Sequence, residues 1–201
     1  MIKLTKFDIS RFLTRRVSAG YGGSWDTERY YEVLDIVKYE LNKEWDKARD
    51  DEKSLRLKME KNAIIGHLDA ANYFKDRISA ILTSNNLLAE PYPDYYPGLV
   101  SALFADIYGL SGVAPWAYDM FDKYKKSSSA KLIGDSLYCL IDGKSVLQPQ
   151  KIPYQRRNQL ITALLLDSPK ERKEDSFHEV YLTNGIRVTI FSGEITKPGL
   201  D

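Results

Sequence analysis

The chain has 201 residues, 43% of them hydrophobic, 28% charged and 12% aromatic, with 14 tyrosines. This is enough to bury a core without disulfides, so disorder is not the default, and the composition is that of a soluble globular chain. Lys and Arg number 29 against 28 Asp and Glu, a net charge of +1, so no global field draws the chain toward nucleic acid or an anionic membrane.

One cysteine, Cys139, precludes an internal disulfide, and no apolar run approaches the 18 or more residues that span a bilayer. The N-terminus lacks an apolar segment of signal-peptide type, so a cytoplasmic location is expected. With His67, His178 and Cys139 as the only soft ligands, no zinc site is expected.

Residues 1–25 carry five basic residues against Asp8, a local charge of +4, and end in Gly20-Tyr21-Gly22-Gly23-Ser24, which reads as a basic flexible arm. From Asp26, an N-cap residue, Tyr30, Leu34, Val37, Leu41, Trp45 and Ala48 recur at helical spacing. Mixed charges between Lys43 and Lys61 predict a solvated helix end with a turn near Asp50-Asp51. A second helix is expected through Ile64, Leu68, Ala71, Phe74, Ile78 and Ile81, closing a helical hairpin over 26–90. His67 beside this stripe reads as a partly buried hydrogen-bonding side chain.

Three prolines in Pro91-Tyr92-Pro93-Asp94-Tyr95-Tyr96-Pro97 mark the start of a second unit, an α+β domain over 91–201. Pro97 precedes a helix with Val100, Leu103, Phe104, Ile107 and Tyr108 inward, stopped at Gly109. Pro115 opens another with Trp116, Met120, Phe121 and Tyr124 on one face. This pair echoes a helix-turn-helix, but Pro115, Trp116, Asp119 and Asp122 suit a DNA groove poorly, and helix packing is the stronger account.

The period then changes to that of strands. Leu132 to Ile141, interrupted by Gly134-Asp135-Ser136, meets the hairpin signal Asp142-Gly143 before Lys144-Ser145-Val146-Leu147. Pro153 starts a helix with Leu160, Ile161, Leu164 and Leu165 inward and Arg156, Arg157 and Gln159 outward. The last hairpin, His178 to Ile190, is best registered with a three-residue loop and a left-handed Gly185. That register aligns Val180, Leu182, Ile186, Val188 and Ile190 on one face and leaves Arg187 with Glu179, Tyr181 and Thr189 on the other. The expected fold class is therefore α+β: an N-terminal helical hairpin, then two β-hairpins with packed helices.

No phosphate-binding loop, G-x-S-x-G or H-E-x-x-H motif occurs, and Cys139 lies in an apolar strand rather than beside a base. No catalytic residue and no metal ligand is assigned, and the chain is not expected to be an enzyme.

Four features in order carry a family resemblance: the helix-ending turn Tyr108-Gly109-Leu110-Ser111-Gly112; the strand and turn Leu137-Tyr138-Cys139-Leu140-Ile141-Asp142-Gly143-Lys144; the helix Gln155-Arg156-Arg157-Asn158-Gln159-Leu160-Ile161; and the strand-turn-strand Leu182-Thr183-Asn184-Gly185-Ile186-Arg187-Val188. From about Leu99 onward the chain resembles the N-terminal domain of type II and type IV secretion ATPases, especially those of the Tad pilus and conjugation branches. The resemblance implies a hexameric ring in which this domain sits above a P-loop motor. It also implies that ATP lies at the domain interface when a motor is attached, with Arg187 facing nucleotide and Arg156 and Arg157 as less specific neighbours. The sequence departs from the family in its basic, serine-rich segment Lys123 to Lys131 and in lacking the motor, which fits either a fragment cut near Asp201 or a stand-alone relative.

The leading expectation is thus a non-catalytic regulatory or adaptor domain that forms a homo-oligomer and docks on a motor or a membrane-complex subunit. Two alternatives stand beside it. One is a stand-alone structural subunit of a secretion, conjugation or viral assembly; the other is a nucleic-acid binder using residues 1–16 and 123–131.

Overall fold

The computed structural model describes residues 25–45, 50–165 and 177–191. The basic arm, Ala48, and the residues joining the segments lie outside them. The architecture is α+β, with N-terminal helices followed by a three-stranded and a two-stranded antiparallel sheet with packed helices.

Helix α1, Thr27–Trp45, starts where the sequence signals it: the Asp26 carboxylate accepts from the Arg29 N–H at 2.9 Å, satisfying one of the amides a helix start leaves unpaired. Its stripe of Tyr30, Val33, Leu34, Val37 and Leu41 is buried. The expected turn near Asp50-Asp51 is instead the start of α2, Asp50–Ile65. Charged residues of both signs have fair helix propensity, so a mixed-charge run need not be a turn. The end of α2 is buried at Ala63, Ile64 and Ile65, and its middle is held by Arg56, which donates to Asn42 of α1 at 2.8 Å.

The helix expected to run unbroken through Ile64 and Ile81 is divided at Gly66, whose φ of +97° ends α2 before α3, Leu68–Ser84, begins. The break turns the hairpin into three helices. Leu68, at the first position of α3, leaves the apolar stripe and is 76% exposed, and His67 is exposed rather than partly buried. Ala71, Phe74, Ile78, Ile81 and Leu82 face inward, each large side chain contributing about 1.5–3 kcal/mol of burial.

The proline-rich stretch is held at both ends. Glu90 pairs with Arg29 of α1 through two hydrogen bonds, and the Tyr96 ring is buried in the main core. Helix α4, Leu99–Ile107, packs against α3, with Phe74 stacked on Tyr108 at 3.9 Å. It stops where the N–H groups of Tyr108 and Gly109 both donate to the Phe104 carbonyl at 2.9 Å. A Cβ on Gly109 would lie 2.9 Å from Ala105 Cα, so close packing accounts for this glycine.

The single helix expected from Pro115 is two one-turn helices, α5, Ala114–Ala117, and α6, Asp122–Lys125, separated at Asp119 with φ +48°. Neither is long enough to read a groove. Strands β1, Ala130–Ile133, β2, Ser136–Ile141, and β3, Lys144–Lys151, form a meander, so the first expected hairpin gains a third strand. Asp142 and Gly143 both take positive φ, the requirement of a type I′ turn pairing Ile141 with Lys144. Leu137 and Cys139 meet Tyr124 in a small core of their own. There the Tyr124 hydroxyl donates to Gln148 Oε1 at 3.1 Å and accepts from Gln150 Nε2 at 2.8 Å, so two buried amides share one phenol.

Helix α7, Tyr154–Leu165, buries Leu160, Leu164 and Leu165. Strands β4, Phe177–Tyr181, and β5, Arg187–Phe191, pair Tyr181 with Arg187 and Val180 with Val188, in the register expected from a three-residue loop. Gly185 has φ +83°, and the Leu182 N–H donates to Ile186 at 2.9 Å. Val180, Leu182 and Ile190 join the same core as α1, α3 and α4.

Candidate functional site

Strand alternation gives the final hairpin an inner and an outer face. Phe177, Glu179 and Tyr181 alternate outward on β4, opposite Phe191, Thr189 and Arg187 of β5. Phe177, Tyr181 and Phe191 are each more than half exposed. Phe177 and Phe191 meet edge to face at 5.5 Å, while Arg187 Nη1 lies 3.1 Å from Glu179 Oε1, and the Tyr181 hydroxyl donates to the same oxygen at 3.4 Å. Two aromatic ends therefore bracket an exposed ion pair, which is worth little to stability because water screens it.

The loop of this hairpin is fixed from below. Thr183 donates its N–H to the Ile65 carbonyl at 2.9 Å and its hydroxyl to the same oxygen at 3.1 Å, closing the end of α2. Asn184 Nδ2 donates to the Ala117 carbonyl at 2.9 Å. The outer face is thus presented on a short, anchored element.

The three arginines singled out in the sequence engage three different partners. Arg187 stands on the outer face with Glu179. Arg156 donates through Nη2 to the Gly109 carbonyl at 2.7 Å and through Nη1 to Gln159 at 3.3 Å, and it lines a cleft between α1, α4 and α7. Burial lowers its pKa. Arg157, expected outward, is 3% exposed: Nη1 donates to the Gly134 carbonyl at 3.0 Å, and the guanidinium lies 4.8 Å from the Tyr154 ring centroid. The turn between β1 and β2 folds against α7 there, which helical periodicity alone could not register.

The cleft encloses about 1060 Å³. At its floor the Asp106 carboxylate accepts from Tyr96 at 3.0 Å and Ser111 at 2.8 Å on one oxygen, and from Tyr30 at 2.8 Å on the other. Burial and this carboxylate push both phenols well above their ordinary pKa. Lys38 lines the cleft wall, its pKa lowered by burial. Asp106 and Lys38 went unmarked in the sequence, being single polar residues on helices otherwise read for their apolar stripes. Phe177 and Phe191 were missed as well, although extending the strand alternation one step at each end would have reached them.

The Cys139 thiol is fully buried in the small sheet core and pushed up to about 11 by burial, which leaves it without nucleophilic character at neutral pH. His178 belongs to the buried face of the last hairpin, in the other core environment. Among the described residues no group of three or more His, Cys, Asp or Glu could hold a metal, and no helix is long and apolar enough to cross a membrane. No protein-family model, curated protein or solved structure matches the chain.

Proposed function

We propose that this chain is a non-catalytic docking domain of the secretion-ATPase type, working in the cytoplasm, that binds a P-loop motor or a membrane-complex subunit and assembles as a ring. The observation that carries this reading is the outer face of the last hairpin, where Phe177, Tyr181 and Phe191 are exposed around Arg187. Tyr, Phe and Arg are the residues enriched at protein interfaces, because each buries a large area while losing few rotamers or keeping a directional cation. The reading also rests on the order of the sequence segments that carry the resemblance, Asp142-Gly143, Gln155 to Ile161 and Gly185-Ile186-Arg187-Val188. In such an assembly Arg187 would exchange Glu179 for the partner, and its fixed planar cation would face nucleotide across the interface.

The test places a photo-crosslinking residue at Tyr181 and presents the chain to a purified secretion-ATPase motor with and without ATP. Crosslinks from Tyr181, and about a tenfold weakening by R187A without a change in melting temperature, are the expected result. A motor that binds with R187A as well as with the unaltered chain, or not at all, overturns the reading.

A further inference from the structure

We propose that Asn184-Gly185, in the loop of the last hairpin, is a self-modification site held latent by the fold: when the loop lifts from Ala117, the Gly185 nitrogen displaces ammonia from the Asn184 side chain, and the product no longer anchors the hairpin. Asn184 is exposed and is the only asparagine in the chain followed by glycine. The turn dictates that neighbour, because Gly185 sits at φ +83°, where a side chain is strained. Glycine also leaves its backbone nitrogen unshielded. Among the described residues nothing lies within 4 Å of where a Gly185 Cβ would stand, so water reaches the loop.

Three hydrogen bonds oppose the reaction while the loop is closed. The Gly185 N–H, whose proton must be lost before its nitrogen can attack, donates to the Leu182 carbonyl at 3.0 Å. Asn184 Nδ2, the leaving nitrogen, donates to the Ala117 carbonyl at 2.9 Å, and Asn184 Oδ1 accepts from the Ile186 N–H at 3.3 Å. Attack turns the planar amide into a tetrahedral centre, a movement that bonds at both of its ends resist. Thr183 adds to the restraint through its two bonds to the Ile65 carbonyl. A slow chemical step guarded in this way proceeds through the population of opened loop rather than from the closed one.

In the opened loop the Gly185 nitrogen gives its proton to hydroxide and bonds to Asn184 Cγ. The Cγ–Nδ2 bond breaks, the nitrogen leaves as ammonia with a proton from water, and a five-membered succinimide remains. Water then adds to one ring carbonyl. At Cγ it restores the main chain with an aspartyl side chain; at the main-chain carbonyl it leaves an isoaspartyl linkage, longer by one methylene. No electrons change hands, and water is the only co-reactant. Either product replaces the amide donor by a carboxylate, which the Ala117 carbonyl repels instead of accepting from. The loop then loses its former anchor, so the step runs one way.

The whole chain is incubated folded at mildly alkaline pH, beside the same chain unfolded in guanidinium chloride, and Asn184 is followed by peptide mapping and mass spectrometry. The folded chain should convert about tenfold or more slowly than the unfolded one. T183A removes the hydroxyl bond to Ile65 without a clash, and it should raise both hydrogen exchange at the Gly185 N–H and the rate of conversion. Sub-denaturing guanidinium should raise the two together in the unaltered chain. N184D supplies the aspartyl product directly and should melt lower, with less protection at Gly185. Equal rates in the folded and unfolded chain overturn the assignment. So does conversion that fails to follow Gly185 exchange across the guanidinium series, or an N184D chain that melts and exchanges as the unaltered protein does. None of these readouts depends on docking through the outer face of the hairpin.

Discussion

Tyr108 shows how much one side chain can carry. Its ring stacks on Phe74 in the core, its hydroxyl lies at the edge of the cleft 3.5 Å from Arg56, and burial pushes its pKa from 10.0 to about 12. A phenol whose folded pKa is raised contributes stability that is complete below the unfolded value and is lost as pH rises through the folded one. The loss from Tyr108 should therefore fall between pH 10 and pH 12, and it amounts to on the order of 2 kcal/mol. Tyr30 and Tyr96 shift in the same direction and deepen the alkaline loss. Comparing urea midpoints at about pH 9 and about pH 11 checks this: Y108F should lose less stability over the interval than the unaltered protein. An equal loss would mean that the Tyr108 phenol ionises as readily folded as unfolded.

At the scale of elements, the joint between α2 and the last hairpin brings together residues more than a hundred positions apart. Gly66 ends α2 at a φ of +97°, and a Cβ there would lie 2.6 Å from Thr183 Oγ1 in the hairpin loop. Gly185, in that same loop, has φ +83° but open space around it. The two glycines separate backbone strain from contact. G185A should cost about 1 kcal/mol, the strain alone, and G66A about 2–3 kcal/mol because the hairpin loop must also shift. Chemical denaturation of both variants measures the difference, and equal costs would mean that the loop yields freely. The hairpin itself was legible in the sequence, since only the three-residue loop keeps Val180, Leu182, Ile186, Val188 and Ile190 on one face. Its docking on Ile65 and Ala117 was not, because a loop's hydrogen bonds to distant carbonyls leave no periodic trace. The same limit applied to Arg157: its place in α7 was predictable, but its burial depends on where the turn at Gly134 lands.

Across the whole molecule, two cores of very different size divide the work. The small one, around Tyr124, Leu137 and Cys139, holds the meander, while the large one takes side chains from α1 to α4, from α7 and from the last hairpin. The three prolines were the strongest boundary signal in the sequence, and they do interrupt the helices. What proline chemistry cannot report is whether the segments on either side bury their apolar faces separately. Ala102 and Leu103 on α4, and Val180, Leu182 and Ile190 on the hairpin, share one core with Tyr30, Phe74 and Ile78, which precede the prolines. A fragment of residues 91–201 would expose these positions, and at about 25 cal/mol per Å² of apolar surface it would lose the burial that offsets the entropy of ordering its chain. The fragment should therefore bind a hydrophobic dye and give broad, non-cooperative thermal unfolding, whereas the full chain should unfold with coincident far-UV circular dichroism and tryptophan fluorescence transitions. If the fragment instead melts in a sharp transition of its own, residues 91–201 form an autonomous domain, and the shared core contributes to docking the helices rather than to folding the sheet.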